Sequence, residues 1–186
     1  MKVNFFCLLL VVTFCYSNIY SQKCKVSNDP FSNERIVSFD FNNKVVYYEI
    51  KNEVVKFEII FNYWGERNYI FEDNKDFLFK LKNGKTIVLK STNESHPKVE
   101  QISTTSQGPF PTIGGFSSSE SFTAYSFIFN LTKDEVIEFS NSDVTIIRIP
   151  ETGSDEFSDL EAKGRTKRKT KAIKKGAKCI LSYIDN

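Results

Sequence analysis

Histidine is nearly absent from this chain: His96 is the only one in 186 residues, and Pro97 follows it in a polar stretch. A histidine-centred triad or general base needs an imidazole fixed beside a nucleophile, and a Ser/Thr-rich connection does not fix one. His96 is therefore expected as an exposed loop residue. Cysteine is scarce, four in all, so there is no set of Cys and His with metal-ligand spacing. "GKT" (84 to 86) has the ending of a phosphate loop but carries Phe79 where the motif needs Gly, and "GGFSSS" lacks Gly-x-Ser-x-Gly spacing. No cofactor and no metal are expected. Long apolar runs are also missing, apart from Phe5 to Phe14, which is about half of the roughly 20 residues a spanning helix needs.

That short run has a different use. Lys2 precedes it and "CYSNIYSQ" follows, the charged, apolar and small-residue order of a secretory signal cut after Ser17 or Ser21. Anchoring as a lipoprotein at Cys15 is disfavoured by Phe14, where that processing wants a small residue. We therefore expect residues 1–21 to be a signal peptide and 22–186 one exported domain, periplasmic, cell-surface or extracellular, with no transmembrane span after cleavage. Only Cys24 and Cys179 then remain. In an oxidising compartment they are expected to form a disulfide joining the two ends, the alternative being two separate buried thiols.

Between Arg35 and Lys90 the chain is dense in Val, Ile, Phe and Tyr, which fit a pleated, half-buried surface. Strands are expected at 35–41, 44–50, 54–64, 67–72, 76–82 and 85–90, with short polar links between them. Asn83-Gly84 has the composition of a type I′ turn. Short links between successive strands imply antiparallel pairing. Residues 91–119 then turn to Ser, Thr, Gly and Pro and read as one long loop, with Phe110, Ile113 and Phe116 at its tip as a binding finger or a flap folded back on the sheet. A long strand over 120–131 follows. "TKDE" (132 to 135) has capping-box spacing and opens a short helix through Phe139, and a strand over 143–149 ends at Pro150.

The one strong charge asymmetry lies near the end. Residues 163–178 hold nine Lys or Arg and no acid, while the rest of the chain beyond residue 21 has 15 cations against 23 acids. "SDLE" (158 to 161) has capping-box spacing, so a helix is expected from near Asp159. At 100° per residue, Ala162, Thr166, Thr170, Ile173, Ala177 and Ile180 fall inside an arc of about 80°, with Lys169 at its edge and the other cations outside. A helix docked by a narrow uncharged face explains that stripe. Its wide cationic face either turns inward to the acidic body or outward to an anionic surface. The acidic body and the signal both argue against nucleic acid.

Carboxylates are plentiful, including Glu49, Glu53 and Glu58, but no spacing marks an acid/base pair, and most are expected on the wet face of the sheet. Tyr63, Trp64 and Tyr69 surround a turn as a sugar-stacking platform would; core and sheet packing is the preferred reading.

The two ends of the chain resemble a known group. An early Cys24, "NDPFSNERI" (28 to 36), "VTIIRI" (144 to 149), a charged helix and "KCI" (178 to 180) are similar to small secreted proteins of unknown function from Bacteroidota, although Ser32 and Asn33 stand where those proteins carry Thr and Gly. The resemblance implies an envelope or secreted setting and assigns no activity.

The fold expected is α+β: a mainly antiparallel curved sheet of about seven or eight strands with a short helix and a long basic C-terminal helix, or else a closed β-barrel with an appended helix. The function expected is a non-enzymatic envelope or extracellular binding module. Its contact residues are Lys167, Arg168, Lys171 and Lys175, or Phe110 and Phe116. Its partner is an anionic cell-surface component or an envelope protein. The alternative is a hydrolase using sheet carboxylates.

Overall fold

The computed structural model describes residues 24–106 and 116–184; for 102–106 and 116–118 it describes the backbone alone. Ten strands and two helices follow in order: β1 (Lys25–Asn28), β2 (Arg35–Phe41), β3 (Val46–Lys51), β4 (Val54–Trp64), β5 (Asp76–Leu81), β6 (Thr86–Lys90), β7 (Lys98–Ser106), β8 (Phe116–Leu131), α1 (Lys133–Asn141), β9 (Val144–Pro150), β10 (Phe157–Glu161) and α2 (Gly164–Ile184). The chain is α+β and every strand pair is antiparallel.

The strands divide between two open sheets instead of one. Six form the order β1-β2-β3-β4-β8-β7 and four form β10-β9-β5-β6, so the expected single sheet of seven or eight strands and the closed barrel are both corrected. The crossing between layers is the segment 67–72, expected as a strand. It makes only one isolated bridge, Phe71 to Ser95, while Phe71 is buried. Alternating burial in β4 shows why the sequence signals a layer but not its partner: Val55, Phe57, Ile59, Phe61 and Tyr63 are buried, and the intervening residues are not.

Aromatic rings fill the gap between the sheets. Phe77 of β5 lies 4.5 Å from Phe127 and 5.2 Å from Phe129 of β8, and 5.8 Å from Phe61 of β4. The four-stranded sheet covers the β4/β8 half of its partner, and α2 covers the β2/β3 half. Gly176 makes that second contact possible: a Cβ there would stand 2.4 Å from Tyr48 Cδ2 and 2.8 Å from Phe39 Cδ1. The buried side of α2 is Thr170, Ala172, Ile173, Gly176, Ala177 and Ile180. Four of these belong to the expected stripe, while Ala162 precedes the helix, Thr166 is only half-buried, and Ala172 and Gly176 take their place. Cys24 and Cys179 are joined in a disulfide with Cα atoms 5.7 Å apart, which ties the chain before β1 to the end of α2.

Local signals explain the ends of the elements. Thr132 caps α1 with the reciprocal bonds of a capping box to Glu135. Asn52 and Glu53, both at positive φ, form the two-residue turn between β3 and β4. The Asn83-Gly84 turn is different: only Gly84 has positive φ, at +89°. Lys82 N–H donates to the Asp143 carbonyl and Asn83 N–H to Ser142 Oγ, so the preceding residues are tied to the link after α1 and the loop is one residue longer. "SDLE" is another correction. It belongs to β10, where Asp159 accepts two bonds from Arg148 on β9 (2.6 and 2.7 Å), and α2 begins only at Gly164. The supposed loop 91–119 contains β7 and the start of β8, paired from Lys98↔Ala124 to Ser106↔Phe116.

Candidate functional site

β4 has eleven residues and β3 has six. Their ladder reaches Val46↔Ile59, and Ile60 N–H then donates to the Val45 carbonyl at 3.2 Å. Past that point β4 keeps β8 on one side through Trp64↔Phe122, while on the other side the β2–β3 link turns away. The turn is made by Asn42, Asn43 and Lys44, all at positive φ, with Lys44 N–H donating to Asp40 Oδ1 at 2.8 Å. Asparagine tolerates that left-handed conformation, so the hairpin ends early and leaves β4 projecting.

The first turns of α2 face this projection and enclose a cleft of about 420 Å³. Its walls are Ile60 to Trp64 of β4, Phe41, Asn42 and Val45 of the hairpin, Phe122 and Leu160, and from α2 Arg165, Thr166, Arg168 and Lys169. Among the described residues, no Asp or Glu lines it. This size falls within the range of small-ligand sites.

Lys169 is the chemically unusual member. Its ammonium sits 4.7 Å from the centre of the Phe61 ring and donates to the Ile60 carbonyl. It makes no ion pair among the described residues, and loss of water around it pulls its pKa from the ordinary 10.5 down to about 8. Taking a cation partly out of water without an acid beside it opposes folding, and groups perturbed in this way cluster at functional sites. Arg165 and Arg168 stand beside it and are exposed. Trp64, the only tryptophan, is 70% exposed and lies across the strands from Phe122. Its carbonyl accepts from Arg67 Nε at 3.1 Å.

The cationic face of α2 turns outward. Lys163 pairs with Glu161 and Lys174 with Asp143 (3.0 Å), whereas Lys167, Arg168, Lys171 and Lys175 are exposed and without an ion pair among the described residues. Of the residues expected to bind, the structure thus puts these four on one helix surface and brings Arg168 into the cleft. Phe110 lies outside the described residues, and of Phe116 only the backbone is described, as the first residue of β8.

Core packing is the right reading for Tyr63, whose hydroxyl donates to the Pro150 carbonyl at 2.7 Å, but not for Trp64. Lys169 was visible in sequence as the cation nearest the uncharged stripe, and that position was its only signal. Glu49 accepts from the Tyr47 hydroxyl at 2.6 Å, and Glu58 accepts from Ser126 while pairing with Lys44 and Lys56. Both carboxylates lie away from the cleft. His96 is exposed, with Nε2 3.2 Å from Glu94 Oε1. No helix among the described residues is long and apolar enough to cross a membrane. Comparison of the chain with protein-family models, with curated proteins and with solved structures finds no match.

Proposed function

We propose that the protein is an exported, non-enzymatic binding module that holds an anionic component of the cell surface or an envelope protein. The observation that carries this reading is Lys169, a half-buried cation with no acid beside it among the described residues, opening into an aromatic cleft that Arg165 and Arg168 flank. An incoming carboxylate, sulfate or phosphate supplies the counter-charge that the described residues do not. The arginines add planar, two-pronged donors that match a carboxylate or phosphate. Lys167, Lys171 and Lys175 on the outer side of the same helix extend the attractive field beyond the cleft, raising the rate of encounter more than the final affinity. The signal-like segment at residues 1–21 and the Cys24–Cys179 disulfide support an oxidising, exported setting.

Trp64 provides the test. Its emission is followed while the protein is titrated with oligoglutamate and, separately, with oligogalacturonate. The expected result is a saturable change for at least one of them that weakens as salt rises and is lost in the double variant Arg168→Gln/Lys169→Gln. Emission that responds to neither polyanion overturns the proposal.

A further inference from the structure

We infer that the ligand of this cleft is the C-terminal end of an extended polypeptide, which adds as a short antiparallel strand to the open edge of β4. The inference rests on the anion-binding reading above and specifies its ligand.

Five consecutive residues, Ile60 to Trp64, line one wall. Side chains alternate across a strand, so a wall of consecutive residues is a strand edge and not a sheet face. The direction of the main-chain groups follows from two contacts. Ile60 N–H donates to Val45 and its carbonyl accepts from Lys169, so both of its polar groups point to the cleft side. Gly65 N–H donates to the Ser121 carbonyl, so residues of the other parity point to β8. Asn62 and Trp64 therefore aim their N–H and carbonyl groups into the cleft. The Trp64 carbonyl is taken by Arg67, while both main-chain groups of Asn62 have no partner among the described residues. Such an edge is a template for a further strand, with the main chain giving affinity and alternate side chains giving selectivity.

Charge sets the orientation. A strand laid antiparallel on this edge continues the line of β3 upstream and runs toward Val45. Its last residue then stands opposite Phe61, next to Lys169 and the first turn of α2. A free C-terminal carboxylate at that position meets the Lys169 ammonium and the two guanidinium groups, at the positive end of the helix dipole. A parallel strand would bring an N-terminal ammonium to the same cations and be repelled. The penultimate residue stands opposite Asn62 and exchanges both main-chain bonds with it. An acidic residue at either place meets no carboxylate, and Trp64 with Phe122 gives an upstream side chain an aromatic surface.

Modified peptides test this on the intact disulfide-bonded chain. The probes are acetyl-Thr-Val-Thr-Val-Asp as the free acid, its C-terminal amide, its analogue N-methylated at the penultimate Val, and trigalacturonate as an acid without a peptide backbone. Binding is read from Trp64 emission and from hydrogen exchange of the Asn62 amide. The free acid is expected to bind and to slow Asn62 exchange, while amidation and N-methylation each weaken it roughly tenfold or more. Equal binding of the acid and its N-methyl analogue, or tighter binding of trigalacturonate with Asn62 exchange unchanged, overturns strand addition and leaves the anion-binding reading standing. If no acidic probe, peptide or sugar, changes Trp64 emission, both fail together.

Discussion

From Thr170 to Ile180, α2 is wedged against the six-stranded sheet by residues no larger than isoleucine, and the disulfide at Cys179 pins it there. From Gly164 to Lys169 the same helix stands off from that sheet, and a cleft occupies the space. The difference begins in side-chain volume. Small residues let the helix approach Phe39 and Tyr48, whereas at its start Arg165, Arg168 and Lys169 line the cleft instead. One half of the helix serves stability, and the other accepts a half-buried charge at stability's expense.

The largest effect expected on the pinned half comes from the disulfide. Replacing Cys24 and Cys179 by Ala is expected to cost roughly 4 kcal/mol, since the bridge closes a loop spanning 155 positions, and the urea midpoint with intact protein as control measures it. The open half responds in the opposite direction. Below pH 8 Lys169 is charged and poorly solvated in the folded chain. Between pH 8 and 10.5 the native lysine has released its proton while the unfolded one keeps it, so stability contributed by this site rises with pH, by on the order of 3 kcal/mol. Lys169→Met is therefore expected to be more stable than the parent at pH 7, with the gap narrowing across that window in paired urea titrations. A gap that does not change with pH would show the ammonium to be well solvated.

Two glycines sharpen the contrast. Gly176→Ala drives a Cβ into buried rings and is expected to cost roughly 2 to 3 kcal/mol through overpacking. Gly164→Ala meets nothing within 4 Å, and its cost of about 1 kcal/mol comes from a φ of +50° alone. Thermal melts of the two variants should separate them by several degrees. The smallest change in stability, within about 0.5 kcal/mol, is expected for Lys171→Glu/Lys175→Glu on the outer face. That variant should nevertheless slow association with oligoglutamate in stopped-flow traces of Trp64.

Much of the sheet was legible because half-buried strands alternate: β2 and β4 fall on the expected residues 35–41 and 54–64. Capping chemistry gave α1, and the pair of cysteines gave the covalent tie. What failed lies at edges. β7 meets the ladder on one side only, and its Ser/Thr-rich sequence carries no alternation of apolar residues, so it read as loop. Asp159 and Glu161 read as helix-start acids because spacing cannot distinguish a cap from a strand whose acid faces Arg148 across the ladder. The cleft was least visible of all. It depends on β3 stopping short of β4, on α2 lying beside that overhang and on Lys169 turning inward, and each of those is a relation between distant segments.

The link from Cys24 to Cys179 also determines how the molecule bears load. A pull applied between a point before Cys24 and a point after Cys179 passes through the sulfur atoms and bypasses the sheets, so the 154 residues between them cannot be drawn out while the bond stands. A protein held at one end and tugged at the other would keep its cleft intact under tension, and would yield in extension only after a reductant had cut the link.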